Sequence, residues 1–291
     1  MTASLLDQLR ALQRAWSPQD PCTTVVLVDQ AAVAEARGYR ALARKRTAIN
    51  LLDLSGDPLD GASPVAIDIS DTAAISKPDS PYTADLAALL ESAKWACGLA
   101  VVQTSLPFQE LCSRLKSRFR VHLPDNFDAI LRYADTRILP VMLDVLSPQQ
   151  RAAFFGIANH WAYLNRQGLW TEVQEVVPSA EDPTLTPLRL SESQQSALIA
   201  AAEIDFVLGL LREQEHQALR GLAPPQQYDR TADAVALAHG YNISATPDIA
   251  AFCSIALAER EGFHAEEPWR SELQAVQNGL KDFRAVLETL E

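Results

Sequence analysis

The chain has 291 residues, 48% of them apolar and 21% charged, which excludes a stapled mini-scaffold and wholesale disorder and leaves room for two lobes with separate cores. Its 25 basic and 37 acidic residues give a net charge of −12, which opposes a nucleic-acid ligand because phosphate binding needs clustered Lys and Arg. The deficit is uneven: 17 basic against 21 acidic residues through Pro187, net −4, and 8 against 16 from Leu188 onward, net −8.

Leu5, Leu6, Leu9 and Leu12 repeat at helical spacing up to Ser17-Pro18, where the proline favours a turn. Thr23 to Val28 is a compact β-branched run, and Gln30 to Ala43 reads as a helix with Gly38 as its weak point. Ile49 to Leu54 and Val65 to Ile69, separated by Gly56-Asp57-Pro58 and Gly61, read as two further strands. A helix over Thr83 to Trp95, a strand over Gly98 to Thr104 and a helix from Pro107 through Lys116 continue the α/β alternation. Phe119 to Leu123 and Phe127 to Tyr133 flank Pro124-Asp125-Asn126 as a strand pair.

Ser147-Pro148-Gln149-Gln150 has an N-cap serine, proline at the first helical position and glutamine three residues after the cap, so a helix is expected to start there and stop near Gly156. Ala158 to Leu164 and Leu169 to Val177 form a hairpin around Asn165-Arg166-Gln167-Gly168. The proline-rich segment Pro178 to Pro187 marks a boundary between lobes at 1–180 and 188–291. Beyond it only helices are expected. Ser191 and Gln194 open a long one through about Leu219, whose run Ile204 to Leu211 is apolar nearly all round and so belongs at the centre of its lobe. Ala223 to Gln227 reads as a stiff connection, Thr246-Pro247-Asp248 caps a helix ending at Gly262, and Leu273, Val276, Leu280, Phe283, Leu287 and Leu290 form one apolar stripe. The fold class is therefore α/β or α+β: a mixed-sheet N-terminal lobe followed by an all-helical C-terminal lobe.

No continuous apolar stretch of spanning length is read, and Asp7 and Arg10 interrupt the first residues, so neither a membrane segment nor a signal peptide is expected. Cys22, Cys97, Cys112 and Cys253 lie far apart without C-x-x-C pairing, as in a reduced cytoplasmic protein without a zinc site or disulfide framework. No phosphate-cradling glycine motif, nucleophile elbow or H-E-x-x-H is present, and no cofactor is expected. His216 beside Glu213 and Glu215, His264 near Glu266 and Glu267, and Asp205 inside an apolar run are the catalytic or metal candidates; a solvated surface or a satisfied hydrogen bond explains each as well. Arg40, Arg44, Lys45 and Arg46 form the densest basic run, which would either hold a phosphate or an acidic partner or complement the dipole in the last turn of a helix, the second being the preferred reading. Trp161 and Tyr163 share a strand face that Trp170 on the facing strand can join, either as a partner-binding anchor or as packing against the preceding helix.

The stretch from Ile130 to Leu139, with Arg132, Asp135 and Arg137, followed by Leu146 to Gly156 with Phe154 and Phe155, and then Trp161, resembles the type VI secretion effector-chaperone (adaptor) family over roughly Val25 to Trp170. Asp135 is placed to cap a helix whose first turn holds Arg137, Thr136 stands where the family usually has proline, and the phenylalanines with Gly156 read as helix packing and a stop. These residues are expected to be structural. The resemblance implies a cytoplasmic, non-catalytic loading factor that is not itself secreted. Its implied partners are a cognate toxin effector encoded nearby and the secretion spike or its tip domain. The competing readings are an α/β, hydrolase-like enzyme with a non-standard site using His216, Glu213 or Asp205, and a regulatory scaffold.

Overall fold

The computed structural model describes residues 3–16, 22–45, 47–52, 63–71, 77, 80–174, 187–214, 216–260 and 262–290. The chain divides into two compact units, Met1–Leu198 and Ile199–Glu291. The proline-rich segment expected as the boundary lies outside the described residues except Pro187. Residues 188–198 belong to the first unit and not the second, because Leu188 and Arg189 pair with Val121 and His122 as a strand.

In the N-terminal unit, α1 (Leu5–Ala15) is followed by β1 (Thr23–Asp29), the short helices α2 (Gln30–Val33) and α3 (Tyr39–Ala43), β2 (Ala48–Asn50) and β3 (Pro64–Asp68). Then come α4 (Pro81–Ser92), β4 (Leu99–Thr104), α5 (Phe108–Ser117), β5 (Arg120–His122) and β6 (Asp128–Ile130). The unit continues with α6 (Ile138–Val145), α7 (Pro148–Phe155), β7 (His160–Leu164), β8 (Trp170–Glu172) and β9 (Leu188–Arg189). Six strands form one sheet in the order β2-β3-β1-β4-β7-β8, every neighbouring pair antiparallel, and β6-β5-β9 form a second sheet that holds the parallel pair.

Strand β1 lies inside the large sheet and is covered on both faces, which is why its sequence is continuously apolar instead of alternating. Val26 and Val28 pack with Leu86, Leu89, Leu90 and Leu9 on one face; Val25 and Leu27 pack with Leu111, Leu115, Phe154 and Trp161 on the other. The sheet is thus the middle layer between α1, α3 and α4 on one side and α5, α6, α7 with the small sheet on the other. The helix read across Gln30 to Ala43 is interrupted over residues 34–38, and the second part starts after Gly38, whose φ of +78° and whose missing Cβ admit the Asp85 carbonyl oxygen, 2.1 Å from where that Cβ would stand.

Two capping boxes form as their sequences predict. Ser147 Oγ accepts from the Gln150 N–H and Gln150 Oε1 from the Ser147 N–H, and Ser191 and Gln194 do the same. The two glutamines also bond each other, Gln194 Nε2 donating to Gln150 Oε1 at 2.7 Å, so the boxes tie two helix starts together.

The second box opens α8 (Glu192–Glu213), which runs through the division into the C-terminal unit. That unit adds a 3₁₀ turn at Gln217–Leu219, α9 (Pro224–Gly240), α10 (Thr246–Ala258), a 3₁₀ turn at Phe263–Ala265, α11 (Trp269–Gln277) and α12 (Phe283–Leu290) around Val207, Leu211, Val235, Phe252, Leu273 and Val286. The expected connection at Ala223 to Gln227 is instead the start of α9, because prolines in the first turn lack only N–H groups that have no helical partner. The expected single stripe from Leu273 to Leu290 is broken at Gly279, φ +68°, which leaves Leu280 80% exposed in the turn between two helices. Helix α10 stops at Ala258, before Gly262.

Candidate interaction surfaces and the motif they rest on

At one end of the large sheet β1 ends on Asp29, whose N–H donates to Gly98 O at 2.9 Å. The Asp29 carboxylate is 1% exposed; it caps α2 by accepting from the Ala31 and Ala32 N–H groups at 3.0 and 3.3 Å, and accepts from Arg132 Nη2 at 2.7 Å. Arg132 Nη2 also lies 3.9 Å from Asp135 Oδ2, while its Nε is buried without a hydrogen-bond partner among the described residues. Asp135, 2% exposed, clamps Arg137: its oxygens accept from Arg137 N–H at 3.0 Å, Nε at 2.9 Å and Nη2 at 2.6 Å. Asp135 is therefore not the expected N-cap. Its side chain is spent on Arg137, and α6 begins three residues later at Ile138.

Thr136 is buried and does what a proline there could not do. Its N–H donates to Cys97 O and its hydroxyl to Leu164 O, both at 2.7 Å. The loop from Arg132 to Arg137 thereby fastens together the end of β1, the approach to β4 and the end of β7.

Phe154 and Phe155 of α7 pack on Trp161, with ring centroids 6.5 and 5.2 Å away, and Tyr133 stacks on Phe119 at 4.5 Å. Burial pushes the Tyr133 phenol well above its ordinary pKa, and its hydroxyl donates to Leu115 O at 2.8 Å. Gly156 ends α7 with an ordinary helical φ of −64°, so the stop needs no left-handed residue.

Trp161 is 1% and Tyr163 6% exposed, which corrects their reading as partner-binding anchors: both belong to the core beside α7. Trp170 cannot join them, because it pairs with Leu164, whose side chain points to the opposite face; there Trp170 packs in the other core and its indole N–H donates to Leu5 O at 3.4 Å.

Sequence reading missed Arg118, 2% exposed, whose guanidinium donates to the Phe154, Ala153 and Arg114 carbonyls at 2.7, 3.0 and 2.7 Å. It satisfies the free carbonyl ends of α5 and α7 at once. A basic residue just past the helix end is a local signal that the sequence carries; the second helix it serves is not.

The catalytic candidates do not converge. His216 Nε2 meets Ser254 O at 2.9 Å and its Nδ1 accepts from the Ala218 N–H at 3.3 Å, so the imidazole ties the 3₁₀ turn to α10. Glu213 is exposed and Asp205 half-buried on α8; Glu215 lies outside the described residues. His264 Nδ1 meets the Tyr241 hydroxyl at 3.0 Å. Among the described residues no three His, Cys, Asp or Glu side chains gather as metal ligands.

Among the described residues, and besides Leu280, large apolar side chains are exposed at three places. Trp95 and Leu169 lie beside the hairpin turn, where a Cβ on Gly168 would stand 2.5 Å from Lys94 Cγ and 3.0 Å from Trp95 Cδ1. Phe127 and Ile130 flank the free edge of β6. Ile199 and Phe206 lie on α8, the one described helix long and apolar enough to cross a bilayer by length and composition. Its sequence is no continuous apolar run, because Glu203 and Asp205 interrupt it.

Residues 26–153 match the family model described as Domain of unknown function (DUF4123). No curated protein and no solved structure matches the chain.

Proposed function

From the membership of residues 26–153 in the DUF4123 family, which is associated with type VI secretion effector adaptors, we propose that this protein is a cytoplasmic, non-catalytic chaperone that binds one toxin effector and helps load it onto the secretion spike. The family match carries the reading. Two features support it: the motif residues Arg132, Asp135 and Arg137 are engaged in holding strand ends together, and large apolar side chains stand on the surface where a protein ligand can cover them. The effector is expected to be encoded beside this gene and the chaperone to remain in the cell. Co-expression with the neighbouring reading frame and size-exclusion chromatography tests this: a stoichiometric complex is expected, and separate elution with soluble cargo refutes it.

A further inference from the structure

The run Ile204 to Leu211 of α8 is apolar nearly all round in sequence, yet only Val207, Leu208 and Leu211 of the helix's 22 residues are buried. On the opposite side Ile199 is 64% and Phe206 57% exposed, and Ala202 between them is exposed. These positions, with Gly209, follow the i, i+3, i+7, i+10 spacing of one helical face about 15 Å long. A Cβ on Gly209 would have nothing within 4 Å, so the face is open at that end too. Glu203 and Asp205 border the stripe on either side and Glu213 lies at its end; Glu203 Oε2 is 2.7 Å from His239 Nε2, and Arg212 is turned to Gln227 at 2.9 Å. The unit around this helix, Ile199–Glu291, has 7 basic against 15 acidic residues, net −8.

We propose that this stripe is the docking site for an amphipathic helix of the cargo whose apolar face is flanked by Lys or Arg. The inference rests on the adaptor reading and names the surface and the chemistry of its partner. An apolar strip one helix wide on a helix anchored by its other face matches helix-on-helix recognition, and the acidic border selects basic flanks. A second copy would set the same acidic borders and the same −8 against each other. An anionic bilayer would meet that charge, and crossing it would pull Val207, Leu208 and Leu211 out of the core.

The test uses the full chain and a fluorescein-labelled 18-residue helical peptide with Leu at i, i+3, i+4 and i+7 spacing and Lys on the flanks, against the same peptide with Glu for Lys. The protein variant is Ile199→Ser/Phe206→Ser, which keeps the net charge and, being at exposed positions, keeps the melting temperature. One-to-one binding of the Lys peptide, weakened by roughly tenfold or more in the variant, is expected, with no binding of the Glu peptide. Equal binding to both proteins would show diffuse attraction to an acidic surface and overturn the proposal. So would a wild-type dimer in light scattering that the variant abolishes, or flotation with phosphatidylcholine–phosphatidylglycerol vesicles that the variant loses. In co-expression, a cargo complex that survives in the variant overturns the α8 assignment and leaves the adaptor reading standing. If the wild type binds no cargo, the adaptor reading fails, and the proposal fails with it.

Discussion

Replacing Asp29 by Ala removes a carboxylate that is 1% exposed and accepts three hydrogen bonds, two from the first turn of α2 and one from Arg132, 103 positions away. The lost cap costs about 1 kcal/mol and the lost charge-assisted bond about 2 kcal/mol, the latter limited because the Arg132 side chain is 34% exposed and regains water. A total of about 3 kcal/mol lowers the thermal midpoint of a unit this size by roughly 6–12 °C. Arg132→Met should cost less, since it also removes a buried Nε without a partner among the described residues. The assay is a double-mutant cycle of Asp29→Ala and Arg132→Met by urea denaturation, followed through the transition of the N-terminal unit. A coupling of about 1–2 kcal/mol is expected. Additive effects within about 0.5 kcal/mol would refute the view that this pair fastens the motif loop to the sheet.

Gly38→Ala puts a side chain at φ +78° against the Asp85 carbonyl and should destabilise by about 2 kcal/mol or more, read from the urea midpoint; an unchanged midpoint would remove the steric account of the break between α2 and α3. Arg118→Met strips donors from three carbonyls, one buried and two part-buried, and should cost about 3 kcal/mol or more, with near-ultraviolet circular dichroism reporting loosened packing of Phe154, whose ring lies under the guanidinium. Burial pushes the Cys112 and Cys253 thiols from 9.0 up to about 12 and the Tyr39 phenol from 10.0 to about 12. Unfolding releases these groups to ionise, so their contribution is fully present below pH 9 and is lost as pH rises to about 12. The urea midpoint should be flat from pH 7 to 9 and fall above it, less steeply in Cys112→Ala/Cys253→Ala; a midpoint independent of pH up to 11 would contradict the assignment.

Much of this architecture is local chemistry and was legible in the chain. The run Thr23 to Val28 reads as a strand covered on both faces, and Ser147 with Gln150 and Ser191 with Gln194 declare helix starts, because each signal is complete within a few residues. The motif residues Arg132, Asp135 and Arg137 stand out in the chain by type and spacing, but their partners do not: Asp29 stands 103 residues from Arg132, and nothing in the local pattern marks it. The same limit placed Trp170 beside Trp161, when the register with Leu164 turns it to the other face, and kept one apolar stripe across Gly279 where the chain turns.

Helix α8 shows the division most plainly. Its apolar circumference is written in the residues from Ile204 to Leu211, and by itself that pattern calls for a central position with cover on every side. Only the tertiary structure decides that Val207, Leu208 and Leu211 are covered while Ile199 and Phe206 face solvent. Hydrophobicity belongs to the residue, whereas burial depends on which distant segments arrive to exclude water from it.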